Sequence, residues 1–161
     1  MNSYLICGAT YQERFKKAYQ ILKTRDSTLK LPYLDLLVVK PSLSIGIKQI
    51  RQLQKFLSRK PYQAKIKTVL VPEAEKMTIS AQNCSLKTLE EPPKNSLIIF
   101  CCQNKDQLLA TIISRCQIIQ LIPKRQGKLN QSLVSLLAKL LNSGVGERLQ
   151  LIEPYTHNRE E

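Results

Sequence analysis

At 161 residues, 43% of them hydrophobic and 23% charged, the chain has room for one principal core and a small appendage, but not for two full domains. Its longest apolar run, residues 96–102, is far too short to cross a bilayer. The first six residues lack the basic start and apolar run of a secretory leader, so a cytoplasmic protein without a membrane span is expected. The net charge of +13 points to a polyanionic partner or to a solvated basic face.

In chain order, residues 4–7 are the first apolar run and read as a buried strand. Residues 34–39 read as the second. Between Asp35 and Glu73 there is no acid, while Lys40, Lys48, Arg51, Lys55, Arg59, Lys60, Lys65 and Lys67 all fall there. From Ser44 onward, Ile47, Ile50, Leu53 and Leu57 share one side of a helical wheel. Lys48, Arg51, Lys55 and Arg59 recur on the opposite side, and Pro61 stops this helix. Residues 68–71 form the third predicted strand. A second helix follows from Thr78, marked by Ala81, Leu86 and Leu89, with Thr78 or Ser80 as its N-cap and Pro92-Pro93 barring its continuation. Residues 97–102 and 118–121 complete five predicted strands. Their apolar runs are nearly continuous rather than alternating, as in strands covered on both faces, so a mostly parallel sheet in a three-layer α/β plan is predicted.

Past Pro123 the pattern changes. Leu133, Leu136, Leu137, Leu140 and Leu141 make a helical stripe that stops at Asn142-Ser143-Gly144, so residues 1–122 are expected to form the core and 123–161 a short helical tail. Cys7, Cys84, Cys101, Cys102 and Cys116 are odd in number without a Cys-x-x-Cys pair, and His157 is the sole histidine. A disulfide framework and a zinc site are both disfavoured. Cys101 and Cys102 read as packing residues, and no metal or cofactor is expected.

Several short motifs remain: Ile47-Lys48-Gln49-Ile50-Arg51, Ala81-Gln82-Asn83, Leu86-Lys87-Thr88-Leu89-Glu90-Glu91-Pro92-Pro93, Leu108-Leu109-Ala110-Thr111-Ile112 and Ser114-Arg115-Cys116-Gln117. In this order the stretch from residue 44 to 120 resembles the clamp-loader subunits of bacterial DNA polymerase III, delta prime above all, with gamma/tau as relatives. Ala110 stands where the family pattern has proline. The resemblance implies an AAA+ core with a five-stranded parallel sheet, in an arc of subunits that surrounds primer-template DNA and opens the sliding clamp. The implied partners are gamma/tau, delta, that DNA and, indirectly, the clamp. Family members continue into a lid domain and a helical collar, for which this chain is too short, so residues 123–161 read as a lid remnant. The cysteine-rich zinc module of many relatives is also absent.

Against that family pattern the nucleotide motifs are degraded. Working members carry G-x-x-x-x-G-K-[ST] after the first strand, where backbone N–H groups and lysine meet the phosphates and the hydroxyl ligates magnesium. Here the run is Gly8-Ala9-Thr10-Tyr11-Gln12-Glu13-Arg14-Phe15. Glu13 brings negative charge toward the phosphate position, Arg14 keeps only the positive charge, and Phe15 cannot bind a metal. After the third strand the family has a magnesium-binding Asp and a water-orienting Glu. Here Pro72 stands in place of that Asp and Glu73 survives without the metal chemistry it would serve, so hydrolysis by this chain alone is not expected.

Arg115 is the opposite case. In the family the Ser-Arg-Cys motif presents its arginine to the ATP of the adjoining subunit, where guanidinium stabilises the transferring phosphoryl group. From the residues alone, Arg115 reads as pairing with a nearby carboxylate, and the intact surrounding motif reverses that preference. The helix stripe also has two readings, a DNA-backbone contact through Lys48, Arg51 and Lys55 or a solubilising face. The function expected is a non-catalytic clamp-loader subunit in DNA replication, and the alternative is a stand-alone DNA- or protein-binding module.

Overall fold

The computed structural model describes residues 2–25 and 34–123, so all but the first residue of the predicted tail at 123–161 lies outside the described residues. All five predicted strands form: β1 (Ser3–Gly8), β2 (Leu36–Val38), β3 (Lys67–Val71), β4 (Ser96–Cys102) and β5 (Gln117–Leu121). They make one sheet ordered β2-β3-β4-β1-β5, with every neighbouring pair parallel. The helices α1 (Tyr11–Arg25), α2 (Ile47–Leu57), α3 (Ile79–Glu90) and the short α4 (Ala110–Ile113) fill the connections.

Alternate strand residues face opposite sides of the sheet. Leu5, Val69, Val71, Ile98 and Phe100 lie in one core cluster with Ile50, Leu53 and Leu57 of α2, Ala81 and Leu89 of α3, and Ile112 of α4. Tyr4, Ile6, Leu70, Ile99 and Cys101 lie in the other with Ala18 and Leu22 of α1. Burial on both faces is why β1, β3 and β4 read as unbroken apolar runs.

Two expectations are corrected here. β5 is not a buried strand. It forms an edge beyond β1, with Ile118 43% exposed, because pairing on one side satisfies its backbone while leaving its outer side uncovered. Ile47 is 38% exposed rather than part of the core face of α2. Ile45 takes the core position at that end, fully buried, and its N–H donates to the Lys76 carbonyl at 2.8 Å. Leu86 is only half-buried, against the core. Thr78 is the N-cap of α3, its hydroxyl accepting from the Ala81 N–H at 3.2 Å.

Polar side chains lock the layers in ways the sequence did not announce. The Gln54 amide donates from α2 to the Cys84 carbonyl and the Thr88 hydroxyl of α3, both at 2.9 Å. Buried Gln82 donates to the Met77 carbonyl and accepts from the Leu109 N–H at 2.8 Å. Asp35, 2% exposed, receives the Tyr62, Gln63 and Ala64 N–H groups. Lys67 stands 3.3 Å from Asp35 and 4.0 Å above the Phe56 ring. Burial pushes the Asp35 carboxyl up, but those three N–H donors and Lys67 outweigh it and hold its pKa at about 2.

Candidate functional site

At the C-terminal end of β1 the chain turns through Gly8, with φ +81°, and Ala9, with φ +51°. Glycine is required there. A Cβ on Gly8 would meet the Leu121 carbonyl oxygen at 2.4 Å and Gln120 Nε2 at 2.8 Å, so the tight approach of β5 as well as the left-handed backbone forbids a side chain.

Several of the donors that a phosphate would need are already engaged within the turn. The Gly8 N–H donates to the Gln103 carbonyl at 3.1 Å. The Thr10 N–H and hydroxyl donate to Glu13 Oε2 at 3.0 and 2.9 Å, and the Glu13 N–H donates back to Thr10 Oγ1 at 3.3 Å. This is a reciprocal Thr-x-x-Glu capping box on the start of α1. The signature was present in the sequence, and Glu13 uses its charge to cap the helix rather than merely obstruct it.

Arg14 turns inward. It is 5% exposed, and its Nη1 donates to the carbonyls of Gly8 and Ala9 at 3.1 and 2.9 Å. Its Nε is buried without a partner. Phe15 instead faces outward, 39% exposed and stacked on Tyr11 with ring centroids 6.3 Å apart.

The acid-bearing turn after β3 lies near this end of the sheet. Pro72 is buried, and Glu73 pairs at 2.7 Å with Lys76, whose pKa its hydrogen bond raises. Glu75 Oε1 accepts from the Gln103 N–H at 3.3 Å, while its Oε2 is buried without a partner. Gln103, which the sequence reading did not single out, therefore ties the ends of β1 and β4 to the turn after β3. Just before Gly8, Cys7 lies opposite Cys102 with the sulfurs 3.4 Å apart. The hydrogen bond from Cys102 lowers the Cys7 pKa against the opposing effect of burial, and that same bond, with burial, raises the Cys102 pKa. Cys101 and Cys116 are buried free thiols that burial pushes up to about 12. Among the described residues no cluster of three or more His, Cys, Asp or Glu could hold a metal ion, and no helix is long and apolar enough to cross a membrane.

Arg115 lies elsewhere. It precedes β5 by two residues, and Gln117 is opposite Tyr4 at the start of β1, whereas Leu121 is opposite Gly8. Four residue steps of about 3.3 Å already put Gln117 on the order of 13 Å from the chain's own glycine turn, and Arg115 lies two residues before it. Its guanidinium bonds Glu90 Oε1 at 2.6 and 2.9 Å and the Thr111 carbonyl at 2.9 Å. Both side chains are part-exposed, at 33% and 47%. On α2, Lys48, Arg51 and Lys55 are exposed, opposite the buried Ile50, Leu53 and Leu57. None of the three makes an ion pair among the described residues.

A parallel sheet ordered β5-β1-β4-β3-β2, a glycine turn from β1 into a helix and an acid-bearing turn after β3 define an ATPase-type α/β core of the AAA+ class. The profile of the family described as DNA polymerase III, delta subunit, matches residues 2–125, and the chain belongs to this family as a clamp-loader delta'-like protein. It is 34% identical over 127 residues to DNA polymerase III subunit delta' of Bacillus subtilis, an alignment covering 73% of this chain and 38% of that one. With the Yersinia pestis delta' subunit it shares 44% identity over 73 residues, 45% of this chain and 22% of the relative. A crystal structure of a gamma subunit-related protein from Thermotoga maritima superposes with a TM-score of 0.69 at 29% identity, over 94% of this chain and 49% of the other. The chain spans less than half the length of each of these relatives.

Proposed function

We propose that this chain is a non-catalytic, delta'-like subunit of a DNA polymerase III clamp loader, acting in the cytoplasm in DNA replication by helping to load the sliding clamp. In this reading Arg115 serves the ATP of a neighbouring gamma/tau subunit, and Lys48, Arg51 and Lys55 face primer-template DNA. The observation that carries it is the placement of Arg115. It stands about a strand length from the chain's own glycine turn, too far to serve that turn, in a motif shared with the family.

A nucleoside triphosphate with magnesium does not fit the residues present. Arg14 fills the inside of the turn, Thr10 and Glu13 satisfy one another, Phe15 replaces the hydroxyl ligand and Pro72 replaces the carboxylate. The Glu90 pair does not disqualify Arg115. A part-exposed ion pair is worth about 0–1 kcal/mol, so a neighbour's phosphoryl oxygens can displace Glu90, which until then keeps the guanidinium oriented.

The test mixes the full chain with gamma/tau and delta of the same organism and measures assembly together with DNA-stimulated ATPase activity. Arg115→Ala is expected to assemble normally and to lower that activity by roughly 10³-fold or more at the site it serves. Normal assembly with unchanged activity would refute the trans-acting role. Failure to assemble, with salt-sensitive DNA binding retained, would favour a stand-alone binding module.

A further inference from the structure

We propose that the cleft at the N-terminal ends of β3 and β4 is a docking site for a nucleic-acid phosphate backbone, continuous with the basic face of α2. This rests on the DNA-binding part of the function proposed above and extends the path of the nucleic acid. The cleft encloses about 550 Å³ between the end of α2, the segment 58–65 and the turn 93–95. Arg59, Lys60, Lys65 and Lys94 line it, and among the described residues no acid does. Arg59, Lys60 and Lys94 are exposed and make no ion pair among the described residues.

Among the described residues the nearby acids are otherwise committed or absent from the cleft. Asp35 is buried against Lys67, and Glu90 is held by Arg115. Glu91, two residues before Pro93, is not part of the lining.

Both rims are fixed before any ligand arrives. Asp35 holds the N–H groups of residues 62–64 from the inside. On the other rim the Lys67 N–H donates to the Asn95 carbonyl at 2.8 Å, the Ser96 hydroxyl donates to the Pro93 carbonyl at 2.6 Å, and Asn95 holds a left-handed φ of +59°. Such a rim loses little conformational freedom on binding.

The shape selects the ligand class. The cations stand around an open cleft rather than converging on one buried point, which suits an extended polyanion better than a single phosphate. They also continue a line. Lys48, Arg51 and Lys55 recur every three or four residues on α2, at about 1.5 Å per residue a row roughly 10 Å long, and Arg59 follows two residues past the helix end. The row ends at the cleft, where Lys60, Lys65 and Lys94 carry it across to the turn before β4. This end of the sheet is opposite the Gly8 turn, whereas the start of α2, next to Ile45 and its bond to Lys76, lies toward that turn.

The experiment measures binding of the full chain to a labelled primer-template duplex by fluorescence anisotropy across a salt series. Lys60→Ala/Lys94→Ala is compared with Lys48→Ala/Arg51→Ala, and circular dichroism verifies the fold of both. Each lost phosphate contact is expected to lower the slope of log K against log salt by roughly one and to weaken binding at every sequence tested. Lys60→Arg/Lys94→Arg should keep the wild-type slope. A wild-type slope for the Lys60/Lys94 alanine variant beside a reduced one for the α2 variant would overturn the cleft site and leave the α2 face standing. Unchanged binding in both, or no DNA binding by the wild type, would remove both. Inorganic pyrophosphate competing as well as DNA at equal phosphate concentration would show a small-anion site and overturn the proposal.

Discussion

Asp35 carries the clearest electrostatic consequence of the fold at the scale of one residue. Its carboxyl titrates at about 2 against an ordinary 3.8. A depressed folded-state pKa contributes stability that is complete above the unfolded value and is lost as pH falls through the folded one. The shift corresponds to about 2 kcal/mol, so denaturant unfolding of the full chain should lose roughly that much between pH 5 and pH 2. Asp35→Asn should abolish that part of the pH dependence. At neutral pH it should cost about 3–5 kcal/mol, because Lys67, its side chain 8% exposed, is left without its partner. Parallel pH profiles for wild type and variant would show that the acid response comes from other carboxylates. Nothing local foretold this pair. Asp35 and the N–H groups it gathers are nearly thirty residues apart, and an isolated aspartate before an apolar run looks like any strand-flanking acid.

At the scale of elements, local chemistry was legible wherever one segment decided the outcome. The Thr78 cap, the core side of α2 at Ile50, Leu53 and Leu57, and the apolar runs of β1, β3 and β4 all rest on spacing within one segment. β5 differed because apolar content alone does not tell a central strand from an edge, which only the order of the sheet decides. The start of α1 shows a different obscurity. Thr10 and Glu13 have capping-box spacing, yet set beside a phosphate loop Glu13 reads as damage. The structure makes them a helix start. Thr10→Ala should therefore destabilise the chain by about 1 kcal/mol, and Glu13→Ala by a similar amount. In a double-mutant cycle the two losses should be clearly less than additive, because each residue serves the other. Full additivity by urea unfolding would mean that the reciprocal bonds contribute nothing in solution.

For the whole molecule, these features separate the two ends of the sheet. One end keeps the glycine turn but turns Arg14 inward on it and commits Glu13 to capping α1; the other presents Arg115 and, further along, the basic cleft. Kinship and architecture were legible because motif order and five apolar runs survive in the chain. The fate of the nucleotide end was legible only as loss, since inward rotation of Arg14 depends on the course of the Gly8 and Ala9 carbonyls, which no residue spacing encodes. A division of this kind has a consequence measurable without any partner. A ligand at a hundred times its dissociation constant stabilises the state that binds it by about 2.7 kcal/mol, and for a chain of this size each kcal/mol moves the melting temperature by roughly 2–4 °C. Millimolar ATP with magnesium should leave the melting temperature of the full chain where it is without nucleotide, within the shift that the same ionic strength of salt produces. A nucleotide-specific rise of several degrees would mean that Arg14 yields its place to phosphate, and the reading that this end no longer binds nucleotide would fall even if Arg115 also acts on a neighbour. A flat response, with Arg115→Ala still lowering the activity of the assembled complex, would leave the chain contributing to a neighbour's ATP chemistry without binding nucleotide itself.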